Sequence, residues 1–306
     1  MALDNKRYND LNTYFRKLFG CRVQKISIDA GFSCPNRDGT ISKGGCSYCN
    51  TRGSGTGAHA LGLSVTDQLL KSRQVLARRY KAKKFIAYFQ SYTNTYAGLS
   101  TLKSLYSEAL AVKDIVGLSI GTRPDCVDDA ILDLLQTYAS NYLIWLEYGL
   151  QSAHDRTLER INRGHDVQCF KNAVALTKNR GIMICAHVIL GLPGENRRHM
   201  LETADFIASV GIDGIKLHLL YVVKGTPMEY LYRKGRYTCL EQTEYVDMVC
   251  DFLERIPSNI VIQRLTGDPH PEELAAPQWS LKKTETLNLI RQTLEARDSM
   301  QGKYCR

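Results

Sequence analysis

Residues 22–49 read RVQKISIDAGFSCPNRDGTISKGGCSYC, an apolar segment that runs into a loop with three cysteines. These cysteines, Cys34, Cys46 and Cys49, are spaced C-x11-C-x2-C. Cysteine thiolates hold cubane iron–sulfur clusters, and four of them saturate the cluster. Three cysteines therefore predict a [4Fe–4S] cluster in which one iron is left open to a ligand that is not protein.

Two other interpretations of the cysteine loop are less favoured. A closed zinc site needs four Cys or His ligands, and His59 is the nearby candidate for the fourth. A disulfide is disfavoured because ten cysteines without a signal peptide or a membrane-spanning apolar run predict a reducing cytoplasmic location. A second cluster is not predicted, since the cysteines further along the chain lack ligand spacing: Cys126, Cys169, Cys185, Cys239, Cys250 and Cys305.

Composition and charge are those of a globular protein with a basic surface. The chain has 306 residues, 44% hydrophobic and 23% charged, with a formal net charge of +9 that favours polyanionic partners. Residues 71–84 hold seven basic side chains and no acidic one, which fits either a phosphate footprint for RNA or a solvated helix face. Further basic residues lie near the amino terminus: Lys6, Arg7, Arg16, Lys17, Arg22 and Lys25.

Strand and helix patterns alternate along most of the chain. Six apolar strand candidates, from 22–28 to 213–222, are separated by helical segments. Such alternation predicts a parallel sheet with right-handed crossovers, here a partial (β/α)6 barrel whose active residues follow the strands. We expect an N-terminal helix in residues 1–20, the core barrel in 21–235 and a helical C-terminal extension in 236–306. The extension is predicted as two helices, near 240–255 and 282–298, joined by a loop.

Several motifs together resemble the radical S-adenosylmethionine (SAM) superfamily. They are the cysteine loop with Tyr48 beside its last cysteine, GTRPD at 121–125, WLEYGLQSAHDRTLERINRGH at 145–165 and VILGLPGE at 188–195. Taken over residues 22–227 and in the C-terminal stretch RLTGDPHPEELAAPQWSLKK, the chain is similar to the YtqA/YhcC-type subfamily, which is related to Elp-type cores.

The resemblance implies both cofactors and their ligands. In that superfamily three cysteines hold a [4Fe–4S] cluster, the open iron binds SAM, and reductive cleavage of SAM gives a 5′-deoxyadenosyl radical. By this likeness Gln151 contacts the SAM ribose and Arg163 pairs with the SAM carboxylate, a task that suits the planar guanidinium fork. The other implied cofactor contacts are Tyr48, Thr122 or Arg123, His187 and Gly191.

The chain departs from the family pattern at two places. The first cysteine gap has eleven residues, whereas the usual spacing is C-x3-C-x2-C. The Gly-Gly-Glu that contacts the SAM amino group in many relatives is replaced by FQSYTNTYAG at 89–98. We expect Gln90, Asn94 or Thr93 to supply the acceptors for that ammonium group.

Residues on the substrate side are predicted from position. Lys216 and His218 alternate on one strand and therefore share a face. A histidine or tyrosine there could move a proton, and packing in the core explains the same residues equally well. The candidates are Tyr92, Tyr96, Lys216, His218 and Tyr221.

The leading hypothesis is a radical SAM enzyme that acts on the side chain of a modified wobble uridine in tRNA, a substrate implied by the subfamily resemblance. Basic helices would then hold phosphates while the barrel takes an extruded base. The alternatives are a radical SAM enzyme for a small metabolite or peptide, and a zinc-stabilised RNA-binding module. We expect an electron donor such as flavodoxin or ferredoxin, and neither a membrane nor DNA as partner.

Overall fold

The computed structural model describes residues 6–50, 55 and 57–305 and is built on a parallel sheet. Its strands are β1 (Val23–Ile28), β2 (Lys84–Phe89), β3 (Ile115–Thr122), β4 (Leu143–Gln151), β5 (Met183–Leu190), β6 (Gly214–Leu219), β7 (Val222–Val223), β8 (Val261–Arg264) and β9 (Leu274–Ala276). The helices are α1 (Leu11–Phe19), α2 (Val65–Tyr80), α3 (Leu99–Ala111), α4 (Asp129–Ala139), α5 (Asp155–Arg160), α6 (Val167–Thr177), α7 (Arg197–Val210), α8 (Pro227–Arg233), α9 (Gln242–Arg255) and α10 (Lys283–Ala296).

The main sheet has the strand order β1-β2-β3-β4-β5-β6-β8, and every neighbouring pair is parallel. Strands β7 and β9 form a separate two-stranded antiparallel ribbon. Helices connect successive strands of the main sheet from β1 to β6, as right-handed crossovers require. The predicted partial barrel is therefore confirmed, and it contains a seventh strand.

The seventh strand, β8, was predicted as loop, and that prediction is wrong. Only three of its four residues pair with β6, with Gly214 opposite Val261. On its other side the Ile262 N–H donates to the Asn9 carbonyl at 2.8 Å. A segment of four residues is too short to show a periodic pattern of its own. It is a strand because distant parts of the chain supply its hydrogen-bond partners.

The two faces of the curved sheet differ in chemistry. Outward-facing strand residues such as Ile26 and Ile28 are buried beneath the helices, where Leu69 of α2 belongs to the same apolar core. Inward-facing positions carry polar side chains, including Lys25 and Glu147. The sheet therefore encloses a polar interior and packs its apolar face under the helices.

Helix α1 closes the amino-terminal end of the sheet. Phe15 is 1% exposed and packs with Val23 and Ile86, while Tyr14 meets Trp145 edge to face with ring centroids 6.0 Å apart. Because this end is filled by apolar side chains, the open end of the interior is the one where the strands finish. That is the end at which barrels of this kind place their chemistry.

The basic segment lies at the closed end. Helix α2 begins at a capping box formed by Ser64, whose hydroxyl accepts from the Asp67 N–H at 3.0 Å. It runs back along the sheet, so Arg78 and Arg79 in its last turn come just before β2. Most of the positive charge of residues 71–84 therefore lies opposite the cysteine loop, separated from it by a six-residue strand of roughly 20 Å.

Candidate active site at the carboxyl ends of the strands

The cysteine loop follows β1 and brings its three thiols into one neighbourhood. Cys46 is 6% exposed, and the Cys49 N–H donates to its carbonyl at 3.0 Å. Burial raises the pKa of Cys49 to about 11, and the nearby Cys46 and Cys34 thiols raise it in the same direction. All ten cysteines of the chain are free thiols.

Side-chain N–H groups point at two of the three sulfurs. The Cys46 Sγ accepts from Asn36 Nδ2 and Arg163 Nη1, each at 3.5 Å, and the Cys49 Sγ accepts from Arg37 Nη1 at 3.5 Å. Burial raises the pKa of Cys46, but the opposing effect of the Arg163 charge and hydrogen bond helps to outweigh it, so the pKa of Cys46 is lowered overall. The Arg163 contact therefore favours the thiolate at Cys46, the form that binds metal, whereas the raised pKa of Cys49 means that metal binding there must release a proton.

The INRGH segment clamps this loop. Asn162 Nδ2 donates to the Gly45 carbonyl at 2.8 Å, and Asn36 Nδ2 donates to the Asn162 carbonyl at 2.6 Å. Gly164 has φ +74°, and a Cβ there would lie 2.7 Å from Asn36 Oδ1. Sequence reasoning gave this motif a role in SAM binding through Arg163 and missed its structural role, although Asn36 stands in the quoted CPNRD.

Gly149 forms a cradle for Gln151 and Arg163. The Gly149 carbonyl accepts from Arg163 Nη2 at 2.8 Å and from Nε at 3.3 Å. A Cβ at position 149 would lie 2.5 Å from Arg163 Nη2 and 2.6 Å from Gln151 Nε2. Gln151 has φ +77° at a bulge that ends β4. The two residues that the sequence assigned to SAM are therefore brought together over one glycine.

Asn94 offers an acceptor where the missing Gly-Gly-Glu motif would have one. Its Nδ2 donates to the Gly121 carbonyl at 2.7 Å, while its buried Oδ1 has no hydrogen-bond partner among the described residues. An orphaned buried acceptor costs about 1–3 kcal/mol, so it fits a cationic donor such as the SAM ammonium. Gln90 Oε1 already accepts from the Ser27 hydroxyl at 2.8 Å.

Other predicted cofactor contacts have protein partners. The Thr122 hydroxyl is 2.6 Å from that of Thr95, and Arg123 makes a bidentate pair with Asp125 at 2.8 and 2.6 Å. Thr93 is buried, and its N–H donates to the Ser33 carbonyl at 3.1 Å. Their role towards SAM stays a prediction.

Tyr48 packs against a small apolar cluster at the same end of the barrel, and Gly191 contacts a member of that cluster, Tyr237. Gly191 has φ +84°, and its carbonyl accepts from the Tyr237 hydroxyl at 2.8 Å. Burial raises the pKa of Tyr48 well above its usual range, and the adjacent Cys46 raises it further. Tyr48 therefore stays a neutral phenol beside the cysteines.

A charged network fills the interior of the sheet below this site. Glu147 of β4 accepts from Lys25 Nζ at 2.6 Å, from His187 Nε2 at 2.8 Å and from Lys216 Nζ. Lys25 Nζ also donates to Gln263 Oε1 at 2.6 Å, which links β1 to β8 across the open sheet. Glu147 was missed from sequence, although a carboxylate inside the apolar run YLIWLEY is an available signal.

The network sets the charge of its members. Burial lowers the pKa of Lys25 to about 8 although Glu147 opposes the shift, and burial with the Lys216 charge lowers the pKa of His187 to about 4. Burial raises the pKa of Glu147, but Lys216 and Lys25 hold it well below the usual value. Lys25 had been grouped with surface cations for RNA, and that interpretation is wrong because its ammonium is paired inside the sheet.

The substrate-side candidates divide between this network and the cysteine loop. Lys216 and His218 share the inner face, as predicted: Lys216 pairs with Glu147, and the His218 ring lies 5.6 Å from that of His187. Burial lowers the pKa of His218 well below its usual value. The remaining candidates are tyrosines: Tyr92 stacks under Arg37 at 5.8 Å, Tyr96 shares a 2.9 Å hydrogen bond with Thr40, and Tyr221 covers Gly267.

His59, the fourth ligand of the zinc alternative, packs on the backbone at Gly31, where a Cβ would be 2.4 Å from its Nε2. Within the described parts of the chain, no three His, Cys, Asp or Glu side chains converge on one metal-ion position. A cubane does not require such convergence, since each cysteine binds a different iron.

Comparison with known protein families decides the class. The Radical SAM superfamily matches residues 37–207, and the Radical_SAM C-terminal domain matches residues 212–296. The chain belongs to the radical SAM superfamily. Its cofactors are therefore a [4Fe–4S] cluster and SAM, as the sequence predicted.

Individual relatives place this radical SAM protein more closely. The uncharacterized protein YtqA of Bacillus subtilis (strain 168) is 44% identical over 299 residues, which cover 98% of this chain and 93% of that one. YhcC of Escherichia coli (strain K12) is 42% identical over 262 residues, 85% of this chain and 84% of that one. The predicted resemblance to the YtqA/YhcC-type subfamily is confirmed.

A solved structure shares the fold. The archaeal Methanocaldococcus infernus Elp3 with an N-terminal deletion (1–46) has a TM-score of 0.71 at 15% sequence identity, covering 91% of this chain. This radical SAM protein spans 64% of the length of that chain. In residues 6–50, 55 and 57–305, every helix is too short or too polar to cross a bilayer.

Proposed function

We propose that this radical SAM enzyme modifies the side chain of a wobble uridine in tRNA. The observation that carries the cofactor half of the proposal is the Gly149 cradle, which sets Arg163 between Cys46 and the end of β4. The proposal that the substrate is RNA is supported by the net charge of +9. The choice of the wobble uridine rests on the subfamily resemblance.

Each cofactor has a proposed set of ligands. Cys34, Cys46 and Cys49 hold the cluster; Arg163 and Gln151 hold the carboxylate and ribose of SAM, and the orphaned Asn94 Oδ1 accepts from its ammonium. When bound, the pair supplies reductive cleavage of SAM to a 5′-deoxyadenosyl radical. Further contacts are assigned to Tyr48, Gln90, Thr122, His187 and Gly191.

The interior network orients the substrate-side residues. Lys216 is 3% exposed and paired with Glu147, so it acts as a fixed cation and positions its neighbours. His218 Nε2 is buried and has no partner among the described residues, and the lowered pKa keeps its ring neutral. A neutral ring with a free nitrogen can accept a hydrogen bond from the substrate, or donate one to it.

The remaining partners follow from chemistry. One electron must reach the cluster, and a flavodoxin or ferredoxin is the proposed donor. A cytoplasmic location is part of the proposal, and the ten unpaired cysteines are compatible with a reducing compartment. A tRNA that contacts the basic residues 78–84 must extend along the outside of the barrel, since they lie at its closed end.

Two measurements test the proposal. Anaerobically reconstituted wild-type protein should bind iron and form 5′-deoxyadenosine from SAM when reduced, and Cys46→Ala should lose both. Cys169→Ala, at a half-buried cysteine outside the loop, is the matched control and should keep both.

Mass spectrometry of tRNA nucleosides from cells with and without the gene tests the substrate. A wobble-uridine derivative should change in abundance. Unchanged nucleosides together with intact SAM cleavage would leave the enzyme class standing and reject tRNA in favour of a metabolite or peptide.

A further inference from the structure

Residues 230–236, YLYRKGR, form an exposed patch of tyrosines and cations at the end of α8. Tyr230 is 58% exposed and Tyr232 39%, although large aromatic side chains usually bury most of their surface. Arg233, Lys234 and Arg236 are exposed beside them. We refer to residues 230–236 as the YLYRKGR patch.

The helix that carries the patch begins against the segment between Cys46 and Cys49. The Met228 N–H, at the start of α8, donates to the Ser47 carbonyl at 3.0 Å, and Ser47 lies between Cys46 and Tyr48. Met228 is fully buried in an apolar cluster that Tyr48 contacts. Tyr230 is two residues further along the same helix, so the patch borders the open end of the barrel.

The charge of the patch is mostly uncompensated. Arg233 pairs with Glu229 at 2.7 Å, while the Lys234 ammonium lies 5.9 Å from the Tyr230 ring centre. Lys234 and Arg236 make no ion pair within the described residues. Tyr230, Arg233 and Lys234 are spaced i, i+3 and i+4 and lie on one side of the helix end, while Tyr232, at i+2, projects from another side, so a bound strand must curve around the end of α8 to reach both tyrosines.

We propose that the YLYRKGR patch binds a single-stranded RNA loop, stacking unpaired bases on Tyr230 and Tyr232 and holding the adjoining phosphates with Lys234 and Arg236. This inference rests on the proposed function and names the surface that presents the nucleotide to the site. It also accounts for a substrate that engages the mouth of the barrel although residues 78–84 lie at the closed end.

Exposed aromatic side chains beside cations are the surface that single strands require. Every base offers a π face to an exposed aromatic ring, and the cations follow the backbone. An acidic electron-donor protein would also be attracted by the cations, but it has no need of two exposed tyrosines. The tyrosines therefore favour RNA, and the donor protein becomes an outcome of the test.

The test measures binding of an anticodon stem-loop RNA to anaerobically reconstituted holoprotein with SAM. Tyr230→Ala and Tyr232→Ala should each weaken binding by about 5- to 100-fold, the range for the loss of one stacked base. A fully paired duplex of the same length should bind more weakly than the stem-loop to wild type and should be insensitive to these substitutions.

Salt dependence separates the tyrosines from the cations. Lys234→Gln and Arg236→Gln should each reduce the slope of log K against log salt by about 0.7, while the tyrosine variants keep the wild-type slope. Tyr304→Ala is the matched control, because Tyr304 is also 58% exposed and lies beside Lys303 and Arg255. It should leave affinity and slope unchanged.

Three outcomes overturn the inference. The first is wild-type RNA affinity in both tyrosine variants, and the second is an equal loss of RNA affinity in Tyr304→Ala. The third is that the patch variants bind RNA normally but are no longer reduced by flavodoxin, which would assign the patch to the electron donor. Iron content and circular dichroism show that each variant is folded. If wild type binds the stem-loop and the variants do too, only this inference fails; unchanged tRNA nucleosides in cells lacking the gene reject the proposed function itself.

Discussion

Gly149 is the residue on which the two proposed SAM ligands depend. Its missing side chain leaves the space in which Arg163 and Gln151 meet, and its carbonyl fixes the Arg163 guanidinium with two hydrogen bonds. Glycine is needed here for close approach of side chains and not for an unusual backbone angle. The G-x-Q-S pattern thus has a steric cause that can be tested.

Gly149→Ala should weaken SAM binding by about 5- to 150-fold, because the added Cβ displaces both side chains at a cost of about 1–3 kcal/mol. Equilibrium binding of SAM to the reconstituted protein measures this. Gly98→Ala is the control, since a Cβ at Gly98 meets nothing within 4 Å. Wild-type SAM affinity in Gly149→Ala would show that the ligand does not use this cradle.

Arg37 offers a second test at a single residue. Hydrogen bonds and positive charge near cluster sulfurs stabilise the reduced state, so Arg37→Leu should lower the midpoint potential by about 60 mV, a tenfold change in a one-electron equilibrium. Redox titration followed by electron paramagnetic resonance measures it. Lys43→Leu removes an exposed cation of the same loop. Among the described residues Lys43 makes no hydrogen bond to sulfur, so this substitution should shift the midpoint potential less. Equal shifts of the midpoint potential in the two variants would mean that only the net charge of the loop matters and that the Arg37–sulfur hydrogen bond does not.

At the scale of elements, β8 and α1 complete a sheet that the six predicted strands leave open. β8 covers the edge of β6, while the chain at Asp10 forms a bridge to Ile262 on the other side of β8. The Lys25–Gln263 hydrogen bond then joins the first and last strands through the interior. The C-terminal segment is therefore part of the sheet and more than a packed appendage.

Truncation after residue 235 should yield insoluble protein, since it leaves β6 as an unpaired sheet edge and removes Gln263, one of the hydrogen-bond partners of Lys25. The soluble fraction after expression is the measurement. Deletion of residues 305–306 alone should leave solubility unchanged, because β8, α9 and α10 remain. A soluble, cluster-loading 1–235 fragment would contradict this account of β8.

At the scale of the whole molecule, several histidines are held neutral by burial and neighbouring cations. The pKa of His187 is lowered to about 4 and that of His165 to about 3, from 6.5. A lowered folded-state pKa means that the unfolded chain takes up the proton first as pH falls. Stability is therefore lost below about pH 6.5, before the carboxylates titrate.

The free energy of unfolding should fall by about 2 kcal/mol for His187 alone between about pH 7 and about pH 5. Urea unfolding at both pH values, in wild type and His187→Gln side by side, measures the difference and cancels contributions that the two share. The variant should show the smaller decrease. An identical pH dependence would mean that His187 is protonated in the folded state or exposed in it.

The sequence alone determined the superfamily, the cofactors and the partial barrel, because each is written in local signals. The cysteine spacing and the alternation of strand and helix patterns both depend on residues close in sequence. The motif that predicts Gln151 and Arg163 as SAM ligands is also local, and a short connection brings the end of β4 near the following loop.

Tertiary structure alone decided which charges lie inside. Lys25 looks like any surface cation until the fold brings Glu147 from β4 and Gln263 from β8 to it, and no local pattern records that meeting. No local pattern predicts β8 either, which forms because the edge of β6 is free to pair with it. Nor does a local pattern show that the YLYRKGR patch lies near the cysteine loop, which follows from the contact of α8 with Ser47. Long-range contacts supply the free energy for burying charge and for short strands, so only the folded chain reveals them.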